Sequence, residues 1–373
     1  MSWHCFASVT PGMEDALAEE LREIGIAGKS ETGGVRFTAS QAGLYGVQLQ
    51  SRVAARVTVR LGRFRASQYD QLAKQVRQLP WSKFVHPNQP LQVRATSHTS
   101  RLRHRDAVER KVAHAIGDAL RGPRLPGPRP PREPALVIVR LVDDMVDISI
   151  DASGEGLHKR GWRQESGRAP IRENLAAGVL RMAGWAPGVP LVDPMCGSGT
   201  FVIEAALAAR GRAPGLDRSF ACQHWPAHDR KEWARAISSA RAGGPHVRTT
   251  ILGADRDARA LDSARANARR AGVVDDLTWE ACGVSSLQPP DKAGLLVANP
   301  PYGKRLEVGN ASKVFRDFGR VLRTRWQGWR LAVLVPDRRL LGPLGLAGLE
   351  AVSTFRNGGV RVTLVVGAVS QSR

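Results

Sequence analysis

The sequence predicts an α/β protein in which a mainly parallel sheet, finished by an antiparallel hairpin, follows two smaller α/β units. From about residue 170, short apolar runs alternate with helical patterns, as they do in chains of βαβ units. Two last runs, Glu350 to Phe355 and Val360 to Val369, flank the turn signal Asn357-Gly358-Gly359. The 373 residues are enough for more than one core, so we expect two or three domains.

The first unit, residues 1–50, alternates strand and helix patterns. It is predicted to contain a strand from Trp3 to Val9, a helix from Pro11 that Gly25 ends, and a strand from Val35 to Thr38.

The second unit, residues 51–152, repeats the alternation. Its strongest helix pattern runs from Arg105 to Leu120, where apolar residues recur every four positions. The other predicted elements are the strands Val57–Phe64, Leu91–Thr96, Ala135–Leu141 and Met145–Ile150, and the helix Tyr69–Leu79.

A proline-rich segment interrupts this second unit. Residues 121–134 hold six prolines and four arginines, a composition that cannot pack a core and predicts a surface loop. The domain boundary is therefore expected later, around residues 153–161, and the third domain is predicted to span residues 160–373. Its parallel strands are predicted at Pro190–Asp193, Thr250–Asp255, Thr278–Cys282, Gly294–Ala298 and Arg330–Val335.

Positive charge is concentrated in one part of the chain. The formal net charge is +21, and residues 51–111 hold 14 basic and 3 acidic side chains, whereas residues 1–50 hold 3 basic and 6 acidic ones. A basic patch of this kind neutralises phosphates, so it predicts a nucleic-acid partner. Within it, Arg101, Arg103 and Arg105 are candidate phosphate contacts. For any one of them, simple exposure to solvent at the start of a helix is an equally good interpretation.

The remaining composition narrows the class of protein. The four cysteines form no CxxC pair, and no histidine spacing suggests metal ligands, so neither a disulfide framework nor a metal site is expected. No apolar run approaches the roughly 20 residues that span a bilayer, and no signal peptide is visible. We expect a soluble protein of the cytoplasm.

Asn299, Pro300, Pro301 and Tyr302 follow the apolar run Gly294 to Ala298. The side-chain oxygen of Asn299 and the carbonyl of Pro300 can each accept a hydrogen bond from a planar amine, and Tyr302 can stack on its ring. The motif therefore predicts chemistry on the exocyclic amino group of a nucleobase, with a tight turn after a strand as the structural alternative.

A glycine loop precedes this motif in the chain. Asp193 ends an apolar strand, and Cys196, Gly197, Ser198, Gly199 and Thr200 lead into a helix, so the loop offers free N–H groups to an anionic ligand. Cys196 is expected to line the pocket rather than to act as a nucleophile. Asp193 either binds ligand or holds the loop.

A second acidic strand end, Asp255, lies 56 residues beyond Gly199, or 21 when the polar segment 212–246 is set aside. Ribose-binding carboxylates lie about 20 residues beyond the glycines of such loops. The loop lacks the GxxxxGK[ST] phosphate cradle, so S-adenosylmethionine is the predicted cofactor and a dinucleotide is its competitor.

These motifs resemble the THUMP-containing guanine-N2 methyltransferases of bacterial 23S rRNA. The similarity lies in LVDPMCGSGTFVIEAAL (191–207), NPPYGKRL (299–306), the stretches 157–162 and 169–177, and parts of the 212–246 segment. The resemblance implies a ferredoxin-like unit, a THUMP RNA-binding domain and a Rossmann-like class I methyltransferase domain with a seven-stranded sheet. One position departs from the family pattern: Gly283 stands where relatives usually have an Asp that contacts adenine, which leaves the backbone N–H of Val284 to serve the ring.

The resulting hypothesis is formation of N2-methylguanosine in 23S rRNA from S-adenosylmethionine. The alternatives are the same reaction on tRNA, N6 methylation of adenine in DNA, and an RNA-binding protein whose methyltransferase domain is inactive. The segment 212–246 favours rRNA by resemblance, and Gly283 favours the inactive alternative.

Overall fold

A computed structural model describes residues 2–121, 131–164, 171–301 and 310–370. Within these ranges the chain forms two seven-stranded sheets, one from each half of the sequence. No helix in the described part of the chain is long and apolar enough to cross a membrane.

The first sheet is almost entirely antiparallel, with strand order β2-β3-β1-β4-β7-β6-β5. Among the described strands of this sheet, only β5 and β6 pair in parallel, and β5 lies at one edge. Its strands are β1 (Ser2–Ser8), β2 (Gly28–Glu31), β3 (Gly34–Ser40), β4 (Arg56–Arg65), β5 (Leu91–His98), β6 (Ala135–Val142) and β7 (Met145–Asp151). Four helices accompany it: α1 (Glu14–Glu23), α2 (Gln41–Gln50), α3 (Tyr69–Arg77) and α4 (Arg105–Ala119).

The two N-terminal units share this one sheet, because β1 of the first unit pairs antiparallel with β4 of the second. The hairpin between β6 and β7 turns through Asp143 and Asp144, whose φ angles of 51° and 62° match a type I′ turn. The two strands predicted at residues 135–141 and 145–150 are therefore present and form a hairpin. Most of the proline-rich loop, residues 122–130, lies outside the described residues.

Three features of the first unit differ from the sequence prediction. Helix α1 begins at Glu14 and not at Pro11, because Gly12 has a φ of 98° that a helix cannot accept. Strand β2 lacks an apolar alternation and is held by main-chain pairing with β3. Helix α2 contains two glycines that weaken its helical signal, yet Ser40 caps it by accepting a hydrogen bond from the Gly43 N–H at 3.2 Å.

The second sheet has the order β10-β9-β8-β11-β12-β14-β13. Its first five strands are parallel, and the hairpin β13–β14 is antiparallel, as predicted. The strands are β8 (Leu191–Asp193), β9 (Ile251–Ala254), β10 (Thr278–Glu280), β11 (Leu295–Ala298), β12 (Arg330–Val335), β13 (Glu350–Asn357) and β14 (Val360–Ala368). The helices are α5 (Glu173–Met182), α6 (Thr200–Ala209), α7 (Arg230–Ala242), α8 (Ala258–Ala271), α9 (Asn310–Arg325) and α10 (Leu341–Leu344).

The segment 212–246 joins the two halves of the molecule. The Trp225 ring lies 5.6 Å from that of Trp3 and 4.9 Å from that of Phe84, centroid to centroid. The hydroxyl of Tyr45 on α2 lies 2.8 Å from His228 Nδ1. Although its composition is largely polar, this segment packs the second half of the molecule against the first sheet through buried aromatic side chains.

Buried charges reinforce this junction. Arg160, only 5% exposed, places Nε 3.4 Å from a carboxylate oxygen of Glu204 on α6. Arg52, which precedes β4, donates to the carbonyl of Leu207 on α6 at 3.1 Å. Breaking a buried pair of this kind costs about 3–5 kcal/mol. These arginines therefore fix the first sheet and the linker, which is formed by residues 152–164 and 171–172 between β7 and α5, onto α6.

Candidate active site

Three parallel strands end at one edge of the second sheet and bring the predicted site residues together. Strand β8 lies between β9 and β11, with Asp193 opposite Gly253 and Leu296 opposite Val192. The chain runs from β8 to β9 on one side and returns as β11 on the other, so this edge is the topological switch point of the sheet. Ligands of open α/β sheets bind at such a point, beyond the carboxyl ends of the strands.

The glycine loop connects β8 to α6 with two glycines in left-handed backbone conformations. Gly197 has a φ of 53° and Gly199 a φ of 81°. A Cβ at Gly197 would meet no atom within 4 Å, whereas one at Gly199 would lie 3.1 Å from Ala264 Cβ and 3.3 Å from Trp279 Cη2. Gly197 therefore keeps the loop open towards a ligand, and Gly199 keeps it close to the sheet.

The N-terminus of α6 is available to an anion, because its capping residue Gly199 supplies no side-chain hydrogen bond. Asp255, directly after β9, accepts a hydrogen bond from the Gly197 N–H at 2.9 Å through Oδ2 and from the Asp257 N–H at 3.0 Å through Oδ1. The sequence placed Asp255 beside the glycines by counting, and the structure brings them together.

Asp193 and Cys196 lie beneath the loop. Burial and, to a smaller extent, the Asp255 carboxylate raise the pKa of Asp193 to about 8, although a hydrogen bond from the Met195 N–H at 3.1 Å opposes this shift. Burial also raises the pKa of the Cys196 thiol well above its usual range, and Asp193 and Asp255 add to this shift. A thiol held in its protonated form is a poor nucleophile, in keeping with the predicted lining role of Cys196.

Asn299 directly follows β11 and carries an acceptor that the fold does not use. Its Oδ1 is buried and has no hydrogen-bond partner among the described residues. Pro300 is buried and Pro301 is half-buried, while Tyr302 lies outside the described residues. A buried carbonyl without a partner costs about 1–3 kcal/mol, so its presence beside the glycine loop points to a ligand that donates a hydrogen bond to it.

Two residues that the sequence analysis missed shape the loop. Trp279 on β10 lies opposite Gly253, where a Cβ would be 2.9 Å from Trp279 Cζ3, so its ring occupies the space that Gly253 and Gly199 leave. Asn267 on α8 is fully buried and donates to the Ser198 carbonyl at 3.2 Å. In the sequence, a polar asparagine on the otherwise apolar helix face of Ala264, Ala268 and Ala271 could have indicated this buried role.

A third missed residue connects the loop to the linker. The Arg163 guanidinium donates to Thr200 Oγ1 at 2.7 Å and to the Ile171 carbonyl at 2.8 Å. Its Nε also lies 3.0 Å from a carboxylate oxygen of Glu173 on α5. The linker therefore contacts the first residue of α6 directly.

Gly283 and Val284 lie in a turn after β10, which ends at Glu280 and not at Cys282 as predicted. The N–H groups of Ser286 and Leu287 donate to the Gly283 carbonyl at 2.9 and 3.2 Å. A Cβ at Gly283 would meet only Ser285 Oγ, at 4.0 Å, and its φ lies outside the left-handed region. The turn therefore has room for an Asp side chain, and Val284 is half-buried beside it.

Arg101 and Arg103 are exposed on the loop between β5 and α4, and Arg105 is exposed as the first residue of α4. The Arg101 N–H donates to Asp144 Oδ1 at 2.7 Å, which ties this loop to the β6–β7 turn. Arg101 also lines a depression of about 510 Å³ together with Arg65 and Lys74, two cations that the sequence analysis did not single out.

No three His, Cys, Asp or Glu side chains are grouped as metal ligands in the ranges 2–121, 131–164, 171–301 and 310–370. The residues at the sheet edge instead suit a nucleoside with an amino-acid group. The free N-terminus of α6 can receive a carboxylate, and Asp255 can accept hydrogen bonds from ribose hydroxyls.

Family models match three consecutive parts of the chain. They are described as an RlmL ferredoxin-like domain at residues 4–58, a THUMP domain at 66–151 and an RMKL-like methyltransferase domain at 160–363. The predicted order of the three domains is therefore confirmed, while the boundaries at residues 50 and 152 stay predictions.

Solved structures of similar proteins cover nearly the whole chain. A Listeria monocytogenes protein, described as a predicted N6-adenine-specific DNA methylase, is 32% identical over 98% of this chain and 96% of its own, with a TM-score of 0.88. The protein SMU.472, solved as a complex with SAH, is 29% identical over 100% and 99%, with a TM-score of 0.90. TrmN from Thermus thermophilus, at 21% identity over 99% and 100% and a TM-score of 0.71, shares the fold.

The glycine loop, the carboxylate beside it and the SAH complex of a relative agree on S-adenosylmethionine as the methyl donor. The chain belongs to the THUMP-containing, RMKL-like family of S-adenosylmethionine-dependent methyltransferases, the family of the 23S rRNA enzymes that its motifs resemble.

Proposed function

We propose that this methyltransferase forms N2-methylguanosine in 23S rRNA. The main support is the Oδ1 of Asn299, which is buried and has no hydrogen-bond partner among the described residues; Asn299 follows β11 at the edge where the glycine loop lies. A buried acceptor at this point suits a planar amine that donates a hydrogen bond. The THUMP domain and the RlmL-type ferredoxin-like domain support RNA, and rRNA in particular, as the carrier of that amine.

Asn299 and the Pro300 carbonyl hold the amine of a flipped-out guanine by accepting hydrogen bonds from its two N–H groups. With both N–H groups held, the nitrogen lone pair points out of the base plane. S-adenosylmethionine supplies an electrophilic methyl group on a sulfonium. Much of the rate then comes from in-line positioning, which accounts for several kcal/mol in oriented reactions.

The proton balance needs no strong base. When the new N–C bond forms and the C–S bond breaks, the amine nitrogen becomes cationic and acidic, so it releases its proton readily to water. The neutral side chain of Asn299 is therefore enough to hold the amine. A carboxylate at this position would add the cost of burying a charge. Tyr302, as a stacking platform for the base, completes the proposal from the sequence motif.

The test incubates the purified protein with labelled S-adenosylmethionine and three substrates: 23S rRNA lacking modifications, unmodified tRNA and duplex DNA. Nucleoside mass spectrometry then identifies the product. We expect N2-methylguanosine in the rRNA sample. If N2-methylguanosine forms only in tRNA, the substrate is tRNA and not rRNA. If N6-methyladenine forms in DNA, the reaction is the one named for the Listeria relative.

Binding of the cofactor is measured separately by calorimetry. Detectable affinity for S-adenosylmethionine is expected, since the loop, Asp255 and the N-terminus of α6 are in place. A wild-type protein that binds RNA and no cofactor would support the inactive alternative that Gly283 raises.

A further inference from the structure

A large cleft lies between the first sheet, the linker and the segment 212–246. Its volume is about 1090 Å³. Gln92 and Arg94 of edge strand β5 line one side, His158, Lys159 and Arg172 line another, and Arg218 lies on the third. The cleft therefore takes side chains from all three parts of the molecule.

Among the residues that the structure describes, seven arginine and lysine side chains line the cleft against five carboxylates, so the cleft holds an excess of positive charge. Some of its cations are paired, since Arg56 contacts Asp151, Lys159 contacts Glu155 and Arg163 contacts Glu173. Among the described residues, Arg94, Arg172 and Arg218 form no salt bridge with a carboxylate, and the first two are exposed.

Arg218 is held in place by carbonyl groups and not by an acid. Its guanidinium donates to the carbonyls of Gly156 at 2.7 Å and Glu155 at 2.6 Å, while its Nε is buried without a partner in the described chain. Burial and, to a smaller extent, the charge of nearby Arg160 lower the pKa of Arg218 to about 10. A cation fixed by neutral acceptors keeps its full charge for a ligand.

The pKa of His158 also reflects the positive electrostatic potential of the cleft. Burial first, and then the charges of Arg172, Arg160, Lys159 and Arg218, together lower this pKa to about 4. Four cations around His158 make a positive charge on its imidazole unfavourable. The same surroundings attract an anion.

The cleft connects the candidate phosphate contacts of the THUMP domain with the methyl-transfer site. Along β5, Gln92, Arg94, Thr96 and His98 alternate outwards as exposed residues, and the strand spans roughly 23 Å towards the Arg101 loop. At the other end, the cleft-lining Arg163 donates to Thr200 at the start of α6.

We propose that this cleft binds the phosphate backbone of the RNA strand that carries the target nucleotide, between the THUMP domain and the methyl-transfer site. This inference rests on the proposed function for the kind of nucleic acid. The buried Phe220 and Trp225 rings offer no stacking surface, and the arginines face the space, so the contacts fix the strand without reading its sequence.

The experiment compares the double variant R94Q/R172Q with the matched control R338Q/R361Q, which removes two exposed arginines of the methyltransferase domain that do not line the cleft. Fluorescence anisotropy measures binding of a labelled single-stranded RNA over a series of salt concentrations. We expect the cleft variant to bind about tenfold more weakly, with a salt slope smaller by about 1.4, since each phosphate contact on a single strand contributes about 0.7. The control is expected to match the wild type more closely.

Calorimetry with S-adenosylmethionine and thermal unfolding accompany the binding data, and both are expected to be unchanged. Equal RNA binding by the cleft variant and the control, or no RNA binding by the wild type, overturns the proposal. A wild type that makes no N2-methylguanosine, together with a cleft variant that loses RNA affinity, refutes the proposed reaction and leaves the cleft as an RNA site.

Discussion

Replacing Asn299 with leucine separates the stability of the fold from its chemistry. The Asn299 Oδ1 is buried without a partner in the described chain, an arrangement that costs about 1–3 kcal/mol in the free protein. Leucine has a comparable shape and no polar group, and swaps of similar volume cost less than about 1.5 kcal/mol. We therefore expect the free energy of unfolding of N299L to equal that of the wild type or to exceed it by about 1 kcal/mol.

Methyl transfer is expected to respond in the opposite direction. Without the acceptor, the substrate amine is no longer held in line, and loss of one such aligned hydrogen bond lowers kcat about 10²–10³-fold in other enzymes. The assay pairs denaturant unfolding with steady-state methyl transfer to RNA. For a domain of this size, 1 kcal/mol corresponds to a shift of about 2–4 °C in Tm.

Asn174 provides the control, because its Oδ1 is also buried without a partner among the described residues, whereas its Nδ2 serves the fold away from the glycine loop. Its Nδ2 donates to the Val53 carbonyl at 3.2 Å, so N174A is expected to lose about 1–2 kcal/mol of stability and to keep kcat per folded molecule. The reasoning is refuted if N299L unfolds more easily by over about 1 kcal/mol while it retains wild-type kcat.

Three further outcomes are expected. Folding raises the pKa of Asp193 from 3.8 to about 8, so the stability that this group contributes is complete below about pH 4 and is lost as the pH rises through 8. An asparagine at this position does not titrate. The Tm of D193N relative to that of the wild type should therefore rise from pH 5 to pH 8. G283D, which the open turn accommodates, should bind S-adenosylmethionine about tenfold more tightly in calorimetry, because a charged acceptor for the adenine amine contributes about 1.5–3 kcal/mol before its desolvation is subtracted. G199A should lose about 2 kcal/mol or more of stability through its contacts with Ala264 and Trp279, whereas G197A should lose about 1 kcal/mol and most of its cofactor affinity.

Each of these has a result that contradicts it. A Tm difference between D193N and the wild type that stays constant with pH would show that Asp193 is ionised in the folded protein. G283A fits the same space without an acceptor, so equal tightening by G283A and G283D would exclude a hydrogen bond to adenine. If G197A and G199A destabilise the protein equally and bind cofactor equally, the two glycines have no separate roles.

Much of the second half of the fold was predictable because its signals are local. Strands β8, β9, β11 and β12 are short apolar runs bounded by polar residues, and the turn Asn357-Gly358-Gly359 selects a hairpin by its backbone preferences. By contrast, β2 has no periodic pattern and α2 contains two glycines, so each depends on a neighbour or a cap that no local window contains.

The sequence by itself determined where the candidate site residues lie: the glycine loop, Asp255 and the Asn-Pro-Pro motif each follow an apolar strand, and parallel strands must end at one edge. Only the tertiary structure showed that the Asn299 oxygen is left unpartnered among the described residues, that Trp279 and Asn267 support the loop, and that segment 212–246 joins the two sheets. These facts depend on atoms that approach from elements far apart in the chain. Burial and hydrogen-bond satisfaction are properties of that arrangement, so no pattern along the sequence contains them.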